Sequence, residues 1–418
     1  MTGATPEIVD ALKKLDPASP SYATQIVDLL LAAAQAADAS DLHLQPTPAG
    51  LAVRWRLDGV LQLVSEIPRG LASDVVARLK VMAELPTYKA DVPQEGRIRQ
   101  ERPGVRTGER GQDMSTAEMR VSTFPTLHGE RAVVRLFASG ETFSLLADLQ
   151  FPSEIEQSLT RSLHETSGAI LLTGPAGSGK TTTAYACLRQ ILKHSGESRN
   201  LVTLEDPIEV AIPRVSQSQV QATAGFTLAT GLRSLMRQDP EVVLIGEVRD
   251  RETSEAVFQA ALTGHLVIST FHAGGAAGAI SRLLDMGIEP YLLTSGLKTV
   301  LHQRLLRRLC SCAGPPGKGE TLGLRVSGSR QALRCAACRH TGYRDRFVLA
   351  ELLPSLVGAL RQAVLERSDR ERLEGVAAAL GMKSVLERAC SAVEQGQTDA
   401  SEVRRIHGFV NERNAADC

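Results

Sequence analysis

The most specific pattern in the sequence is a glycine-rich segment at residues 174–181. Its residues, Gly-Pro-Ala-Gly-Ser-Gly-Lys-Thr, match G-x-x-x-x-G-K-[ST] at every fixed position. Glycines let successive backbone N–H groups close around a β-phosphate, and the N-terminus of a following helix adds partial positive charge. We expect Lys180 to reach the β- and γ-phosphates and the Thr181 hydroxyl to bind Mg²⁺. The predicted phosphate-binding residues are Gly174, Pro175, Ala176, Gly177, Ser178, Gly179, Lys180, Thr181 and Thr182.

Two carboxylates and a histidine stand at the ends of apolar runs. The run at 242–245 leads to Glu247, and the run at 201–204 leads to Glu205. Strand ends face the ligand crevice in doubly wound sheets, so Glu247 is a candidate for the Mg²⁺ shell. A carboxylate at Glu205 can orient or deprotonate an attacking water, and His272 can hydrogen-bond a γ-phosphate. Solvated strand-end charges are the alternative interpretation.

The elements that must position these groups are visible as an alternation that starts near residue 168. Short apolar runs are separated by amphipathic stretches, and each run has the length of a strand. The runs are 169–172, 201–204, 242–245 and 266–269. This alternation predicts a mostly parallel sheet flanked by helices.

The residues before this sheet predict a smaller domain of mixed type. Alternating residues at 51–57 and 60–64 around Asp58-Gly59 indicate a β-hairpin, and 72–85 reads as a helix. Residues 100–118 are interpreted as a loop, with strands at 119–124 and 132–137. The predicted organisation is a flexible leader at 1–20, an N-terminal α+β domain at 21–138, a linker at 139–150, a nucleotide-binding core at 151–309, a cysteine loop at 310–346 and a C-terminal helical region at 347–418.

The composition argues against several classes of protein. Among 418 residues, 47 Lys plus Arg balance 47 Asp plus Glu, and aromatic residues make up only 4%. A neutral chain with few aromatic rings is a poor candidate for nonspecific DNA binding or single-strand stacking. The longest apolar stretch, 26–37, is interrupted and falls short of the ~20 residues of a membrane span. We expect no membrane-spanning helix, no secretory signal and no nucleic-acid partner.

Four of the seven cysteines form two close pairs. Cys310-x-Cys312 is followed, 22 residues later, by Cys335-x-x-Cys338. Zinc prefers four thiolates in a tetrahedron, commonly from two C-x₂₋₄-C pairs. The second pair has that spacing and the first is one residue short, so structural Zn²⁺ is expected, with a loop of free thiols as the alternative. The remaining cysteines, interpreted as reduced core or tail residues, are Cys187, Cys390 and Cys418.

These patterns together resemble the secretion ATPases of type II secretion and type IV pilus assembly. The phosphate segment and the stretches 203–209, 244–250 and 263–272 resemble that family's Walker A, Asp, Walker B and His boxes, in the same order. Stretches at 39–44, 54–59, 93–97 and 120–131 resemble its N-terminal domain. The resemblance covers roughly 25–405. It implies an α/β fold with a RecA-like P-loop ATPase core, a smaller N-terminal α+β domain, and a C-terminal helical region with a zinc loop.

The resemblance also assigns roles to residues at matching positions. The catalytic residues that it implies are Lys180, Glu205, Glu247, His272, Arg120 and Arg135. Glu205 is the expected water-activating base, Glu247 supports the metal, and His272 senses or stabilises the γ-phosphate. Arg120 and Arg135 match arginines that reach the nucleotide across a domain or subunit boundary, where they offset developing charge. The alternative interpretation is that these two arginines are only surface cations on strands. Weaker candidates for interface charge are Arg233, Arg237 and Arg249.

Members of this family form hexamers on the cytoplasmic face of the inner membrane and drive a membrane platform protein. The resemblance therefore implies ATP, Mg²⁺ and Zn²⁺, a homo-hexamer, and peripheral membrane association through partners. It implies assembly of a pilus or pseudopilus, because the cysteine loop is typical of the extruding branch. The alternatives are a pilus retraction ATPase, a RecA-like DNA-translocating motor, and a scaffold that does not hydrolyse nucleotide.

Three departures from the family pattern qualify these expectations, and the shortened first cysteine pair is one of them. Only about 20 residues precede the matching region, so the family's extra N-terminal docking module is expected to be absent. Ala273-Gly274 follow His272 where the family favours polar residues of the Thr-Asn type. The resemblance therefore implies less about the detail of the fourth box than about the other three.

Overall fold

The computed structural model of the chain describes residues 6–101, 116–136, 144–196, 198–315, 317 and 319–408. Its contacts divide the chain into two units. The first comprises Met1–Gly140 and Leu333–Arg344, and the second comprises Glu141–Ala332 and Asp345–Cys418. Each unit has its own sheet and its own apolar core.

The first unit is an antiparallel sheet with helices packed on one face. Its strands are β1 (Asp41–Pro46), β2 (Gly50–Leu57), β3 (Val60–Pro68), β4 (Gln94–Glu101), β5 (Thr116–Thr126) and β6 (Gly129–Leu136). Its helices are α1 (Pro6–Lys13), α2 (Tyr22–Ala36) and α3 (Arg69–Met82). The strands lie in the order β3-β2-β1-β6-β5-β4, with antiparallel pairing throughout.

Alternation of apolar and polar residues explains how this sheet forms. Val53 and Trp55 of β2 are buried in the core, whereas Arg54 and Arg56 point to the other face. Val60 pairs with Leu57 across the tight turn at Asp58-Gly59, as the hairpin pattern predicts. The hairpin, the α3 helix and the mixed α+β character of this unit are confirmed.

The second unit is a larger sheet with helices on both faces. Its strands are β7 (Gly168–Thr173), β8 (Leu201–Glu205), β9 (Ser216–Gln219), β10 (Val242–Val248), β11 (Leu266–Phe271), β12 (Leu297–Leu309) and β13 (Tyr343–Leu352). Its helices are α4 (Ser153–Leu163), α5 (Lys180–Ser195), α6 (Leu228–Leu235), α7 (Arg251–Leu262), α8 (Ala276–Asp285), α9 (Pro290–Gly296), α10 (Gly358–Leu365), α11 (Arg370–Ala379), α12 (Val385–Glu394) and α13 (Ala400–His407).

The strand order in this sheet is β13-β12-β7-β11-β10-β8-β9. The pairs from β12 through β9 are parallel. Every residue of β7, β8 and β11 is buried, which is the pattern of strands covered on both faces. The four predicted apolar runs are the four central strands, so the predicted parallel sheet and the α/β fold class are confirmed.

Several elements differ from the sequence expectations. Strand β4 was not predicted, because half of its residues are charged and Ile98 is the one described residue of it in the buried apolar core. Residues 100–101 and 116–118 belong to β4 and β5 rather than to a loop, and 102–115 lie outside the described residues. The predicted leader contains α1, whose Ile8 is buried in the core of the first unit.

The C-terminal part is helical from α10 onward, as predicted, and Gly381, with φ +93°, separates α11 from α12. Cys390 on α12 is buried in an apolar core, as expected of a core residue. Cys418 lies outside the described residues. Within the described part of the chain, no helix is long and apolar enough to cross a bilayer.

Candidate functional site

The phosphate segment forms a sharp turn between β7 and α5. Gly174, Gly177 and Gly179 have φ of +145°, +74° and +87°, values that favour glycine. A Cβ placed on Gly174 would lie 2.5 Å from both the backbone oxygen of Gln303 and the Ser178 hydroxyl. Gln303 also donates its side-chain N–H to the Ser178 carbonyl at 2.7 Å. The neighbouring strand β12 therefore fixes the turn from outside.

Lys180 is the first residue of α5 and lies against this turn. Its Nζ donates hydrogen bonds to the carbonyls of Gly174 at 2.9 Å and Pro175 at 3.0 Å. Burial lowers the pKa of this ammonium, and the carboxylates of Glu247 and Glu209 counteract part of that effect. Two backbone carbonyls of the turn thus hold the ammonium where it would bond an anionic phosphate.

Glu247 lies at the end of β10 and has two cationic or polar partners. Its Oε1 lies 2.9 Å from His272 Nε2, and its Oε2 accepts bonds from Arg249 at 2.7 and 2.8 Å. The β10–β11 register shifts between Ile245 and Val248, so a bulge re-aims the residues in between. Because β10 and β11 end side by side, Glu247 and His272 meet as the strand-end argument predicts.

Gly246 has a steric reason for being glycine. A Cβ at this position would lie 3.2 Å from the Glu205 Cα, which is tighter than an ordinary contact. An aspartate here would have to displace the backbone of the neighbouring strand. The carboxylate near the end of β10 is that of Glu247, the next residue.

Glu205 is buried, and both of its carboxylate oxygens accept hydrogen bonds. Oε2 accepts from the Tyr185 hydroxyl at 2.5 Å. Oε1 accepts from Thr203 Oγ1 at 2.6 Å and from Gln217 Nε2 at 3.1 Å. Burial is the largest cause that raises the pKa of the Tyr185 hydroxyl, and its bond to Glu205 adds to it. The hydroxyl therefore remains a donor.

Sequence reasoning missed the residues that hold Glu205. Tyr185 lies on α5 and also accepts the backbone N–H of Glu209 at 3.2 Å. Gln217 lies on β9 and bonds the backbone of Ile212 and Val210. Their roles depend on partners distant in sequence, so no local pattern marks them. The tyrosine spaced five residues after Lys180 is the only signal that the sequence offered.

The two predicted arginines lie on the open face of the first unit. Arg135 and Arg120 are opposite each other on β6 and β5, and Arg135 pairs with Asp41 at 3.3 Å. The same row continues to Arg56 on β2 and Arg97 on β4. Asp41 also pairs with Arg56, at 3.3 Å.

The four predicted metal-ligand cysteines lie together. The sulfur atoms of Cys310, Cys312, Cys335 and Cys338 are all within 4.8 Å of one another. The Sγ atoms of Cys335 and Cys338 are 3.7 Å apart, and tetrahedral zinc with bonds of ~2.3 Å separates its sulfurs by about 3.8 Å. Backbone N–H groups of Cys335 and Gly342 point at Cys338 Sγ, each at 3.3 Å. The donor set therefore fits zinc.

Comparisons with known proteins agree with this geometry. The family model described as type II/IV secretion system protein matches residues 18–405. The type II secretion system protein E of Pectobacterium carotovorum subsp. carotovorum is 39% identical over 408 residues, which cover 96% of this chain and 78% of the relative. The type II secretion system ATPase E of Vibrio cholerae serotype O1 is 39% identical over 390 residues, covering 91% and 75%. The structure of the ATPase DotB of Legionella pneumophila has the same fold, with a TM-score of 0.59, 19% identity, and coverage of 96% of this chain and 97% of that one.

A buried histidine beside the phosphate turn predicts acid-sensitive stability. His302 Nδ1 and Thr173 Oγ1 share a hydrogen bond of 3.1 Å. Burial lowers the pKa of the His302 imidazole from 6.5 to about 3. As the pH falls below 6.5 the unfolded chain takes up a proton that the folded chain does not, so the free energy of unfolding falls. Through this one group the free energy of unfolding should fall by about 2–3 kcal/mol between about pH 6.5 and about pH 4.5.

Urea unfolding, monitored by circular dichroism across that pH range, measures the slope of the free energy of unfolding against pH. His302→Asn removes the imidazole and should flatten it. Thr173→Val removes only the hydrogen bond and should lower stability by a similar amount at each pH. An unchanged slope in His302→Asn would contradict the assignment.

Proposed function

The chain belongs to the type II/IV secretion system protein family, and we propose that it is a homo-hexameric motor that assembles a pilus or pseudopilus. Family membership makes it an ATP hydrolase. The observation that carries the proposal is the complete phosphate turn, with Lys180 held inside it by two carbonyls. Phosphoryl transfer requires positioned positive charge and little covalent chemistry, which this arrangement supplies.

We propose that ATP binds with its phosphates in the turn formed by Gly174–Thr182. Lys180 would exchange its two carbonyl partners for oxygens of the β- and γ-phosphates. Thr181 and Glu247 are the residues that would hold Mg²⁺, because a hydroxyl and a carboxylate are the oxygen ligands this ion prefers. When bound, the ion neutralises phosphate charge. His272, bonded to Glu247, would sense or stabilise the γ-phosphate.

The hydrogen bonds bear on which carboxylate activates water. The sequence gives that role to Glu205, whose two oxygens already accept three donors, so one donor must be displaced before a water can bond this carboxylate. Glu247 is electrostatically coupled to Lys180. Glu247 also accepts bonds from Arg249 and His272, but its charge acts on Lys180 and it is the carboxylate that would hold Mg²⁺. We therefore propose that Glu247 carries the larger catalytic share and that Glu205 positions the second box.

We propose that Arg120 and Arg135 reach a nucleotide across a domain or subunit boundary. Their positions opposite each other on β5 and β6 support this role, since an arginine can offset charge that develops in phosphoryl transfer. A boundary of this kind requires an oligomer, and the hexamer is inferred from the family. The proposed partner is an inner-membrane platform protein, with the chain cytoplasmic and peripheral to that membrane. No nucleic-acid partner is proposed.

We propose that the four cysteines hold one structural Zn²⁺. When bound, the ion would cross-link the two cysteine pairs and supply folding free energy. The Cys338 sulfur, with its two backbone N–H donors, is preorganised as a thiolate ligand. By family resemblance, this loop favours the extruding branch over retraction.

Lys180→Ala tests the proposed hydrolysis directly. Removal of the ammonium should lower ATP turnover at least 100-fold, because the charge that meets the phosphates is lost. Lys193→Ala, in the last turn of the same helix, is the matched control and should retain turnover. Phosphate release from the full chain measures both. Equal turnover in Lys180→Ala and the wild type would refute the function.

The roles of the two carboxylates can be separated by three variants. Glu247→Gln should lower kcat more than 100-fold, the range of general acid–base and charge-stabilising groups. Glu205→Gln and Tyr185→Phe break the same network and should lower kcat by similar, smaller factors of about ten. If Glu205→Gln abolishes turnover while Tyr185→Phe is near the wild type, Glu205 is the base after all.

Metal analysis of the purified full chain tests the zinc loop. We expect one zinc per chain in the wild type and a near-complete loss in Cys335→Ser, together with a lower melting temperature. Cys187→Ala is the control, because burial raises the pKa of that thiol to about 12 and it lies outside the cluster. Equal zinc content in Cys335→Ser and the wild type would contradict the site.

A further inference from the structure

One buried carboxylate caps two helices that are far apart in sequence. Glu351 lies on β13 and is about nine-tenths buried. Its Oε1 accepts the backbone N–H of Ala276, the first residue of α8. Its Oε2 accepts the backbone N–H of Val385, the first residue of α12, at 3.2 Å. The two oxygens of a single side chain therefore join α8 to α12.

Helix α8 relies on this distant carboxylate. Its N-cap residue is Gly275, and no side chain at that position caps the helix. A Cβ on Gly275 would lie 3.1 Å from Glu351 Oε1, so the glycine leaves room for the carboxylate. The first N–H groups of a helix need acceptors, and here Glu351 supplies one in place of a local side chain.

Helix α12 has a cap of its own. Ser384 accepts the N–H of Glu387 at 3.1 Å, and Glu387 accepts the N–H of Ser384, which makes a complete capping box. The bond from Val385 to Glu351 is therefore additional to what α12 needs locally. Burial raises the pKa of the Glu351 carboxyl, and the N–H bonds from Ala276 and Val385 offset only part of that effect.

The α8 end of this link leads directly to the nucleotide site. Only three residues separate His272 from Ala276, and the His272 carbonyl accepts a bond from Arg282 of α8 at 2.8 Å. His272 Nε2 lies 2.9 Å from Glu247. The side chain of Arg370 on α11 lies 3.5–3.8 Å from where Cβ atoms on the glycines of this segment would stand. The segment 272–276 is thus held from β10, α8 and β13, and the Arg370 side chain of α11 lies nearby.

We infer that Glu351 is a positioning residue that couples the His272 segment to helix α12. Shifts of His272 relative to Glu247 would then move α12, and displacement of α12 would disturb the Glu247–His272 pair. This inference rests on the proposed function, because it treats His272 as part of the ATP site. It assigns the C-terminal helices a part in transmitting the nucleotide state.

Steady-state ATP turnover of full-chain variants tests the coupling. Glu351→Gln keeps one acceptor oxygen and so can cap only one of the two helices. It should lower kcat at least tenfold and leave KM within about twofold, because the phosphate turn is intact. Glu402→Gln is the matched control: Glu402 is also buried, bonds Arg307 and Arg405 away from the site, and should affect stability but not kcat.

A rescue variant separates coupling from simple capping. In Glu351→Ala the space beside Gly275 is open, so adding Gly275→Ser supplies a local N-cap for α8. The double variant should regain melting temperature over Glu351→Ala and keep the low kcat. Recovery of both melting temperature and kcat would overturn the inference, since Glu351 would then act only as a cap.

A measurement on the wild-type chain makes the test independent of how the variants fold. Hydrogen–deuterium exchange at 384–388 should change when a nonhydrolysable ATP analogue is added, and Glu351→Gln should abolish that change. No change in the wild type would overturn the coupling. Failure of the proposed function is distinct, because Lys180→Ala would then turn over ATP like the wild type, whatever Glu351 variants do.

Discussion

The common end point of four parallel strands is the constraint on which the candidate site depends. Strands β7, β11, β10 and β8 are neighbours in parallel register, so the residues that follow them emerge at one edge of the sheet. Gly174, His272, Glu247 and Glu205 stand at those strand ends. Residues nearly 100 positions apart in sequence thereby surround one turn of backbone, without any local contact to bring them together.

Close packing turns this common edge into a defined geometry. Gly174 and Gly246 both face backbone atoms of a neighbouring strand at distances that leave little or no room for a side chain. The backbones therefore approach closely, and the polar side chains that remain are tied in pairs or networks. The Glu247–His272 pair fixes the end of β10 relative to the end of β11. The bond from Tyr185 to Glu205 fixes helix α5 relative to the end of β8.

The sequence predicted what local patterns encode, and it missed what distant contacts create. Buried runs identified the parallel sheet correctly, and the glycine segment forms the turn after β7. The roles of that segment and of the strand-end carboxylates stay predictions. Strand β12 was missed because its arginines and His302 obscure the apolar pattern, although its residues 297–302 pair with β7. Tyr185 and Glu351 were missed because their partners lie 20 to 75 residues away. The ranking of Glu205 and Glu247 likewise depends on hydrogen bonds that no spacing reveals.

The most direct test of the central claim is a structure of the chain with Mg²⁺ and a nonhydrolysable ATP analogue. Lys180 Nζ now lies 2.9 Å from the Gly174 carbonyl and 3.0 Å from that of Pro175. We expect the ammonium to leave both carbonyls and to bond oxygens of the β- and γ-phosphates. An analogue bound elsewhere, with Lys180 still on those carbonyls, would contradict it.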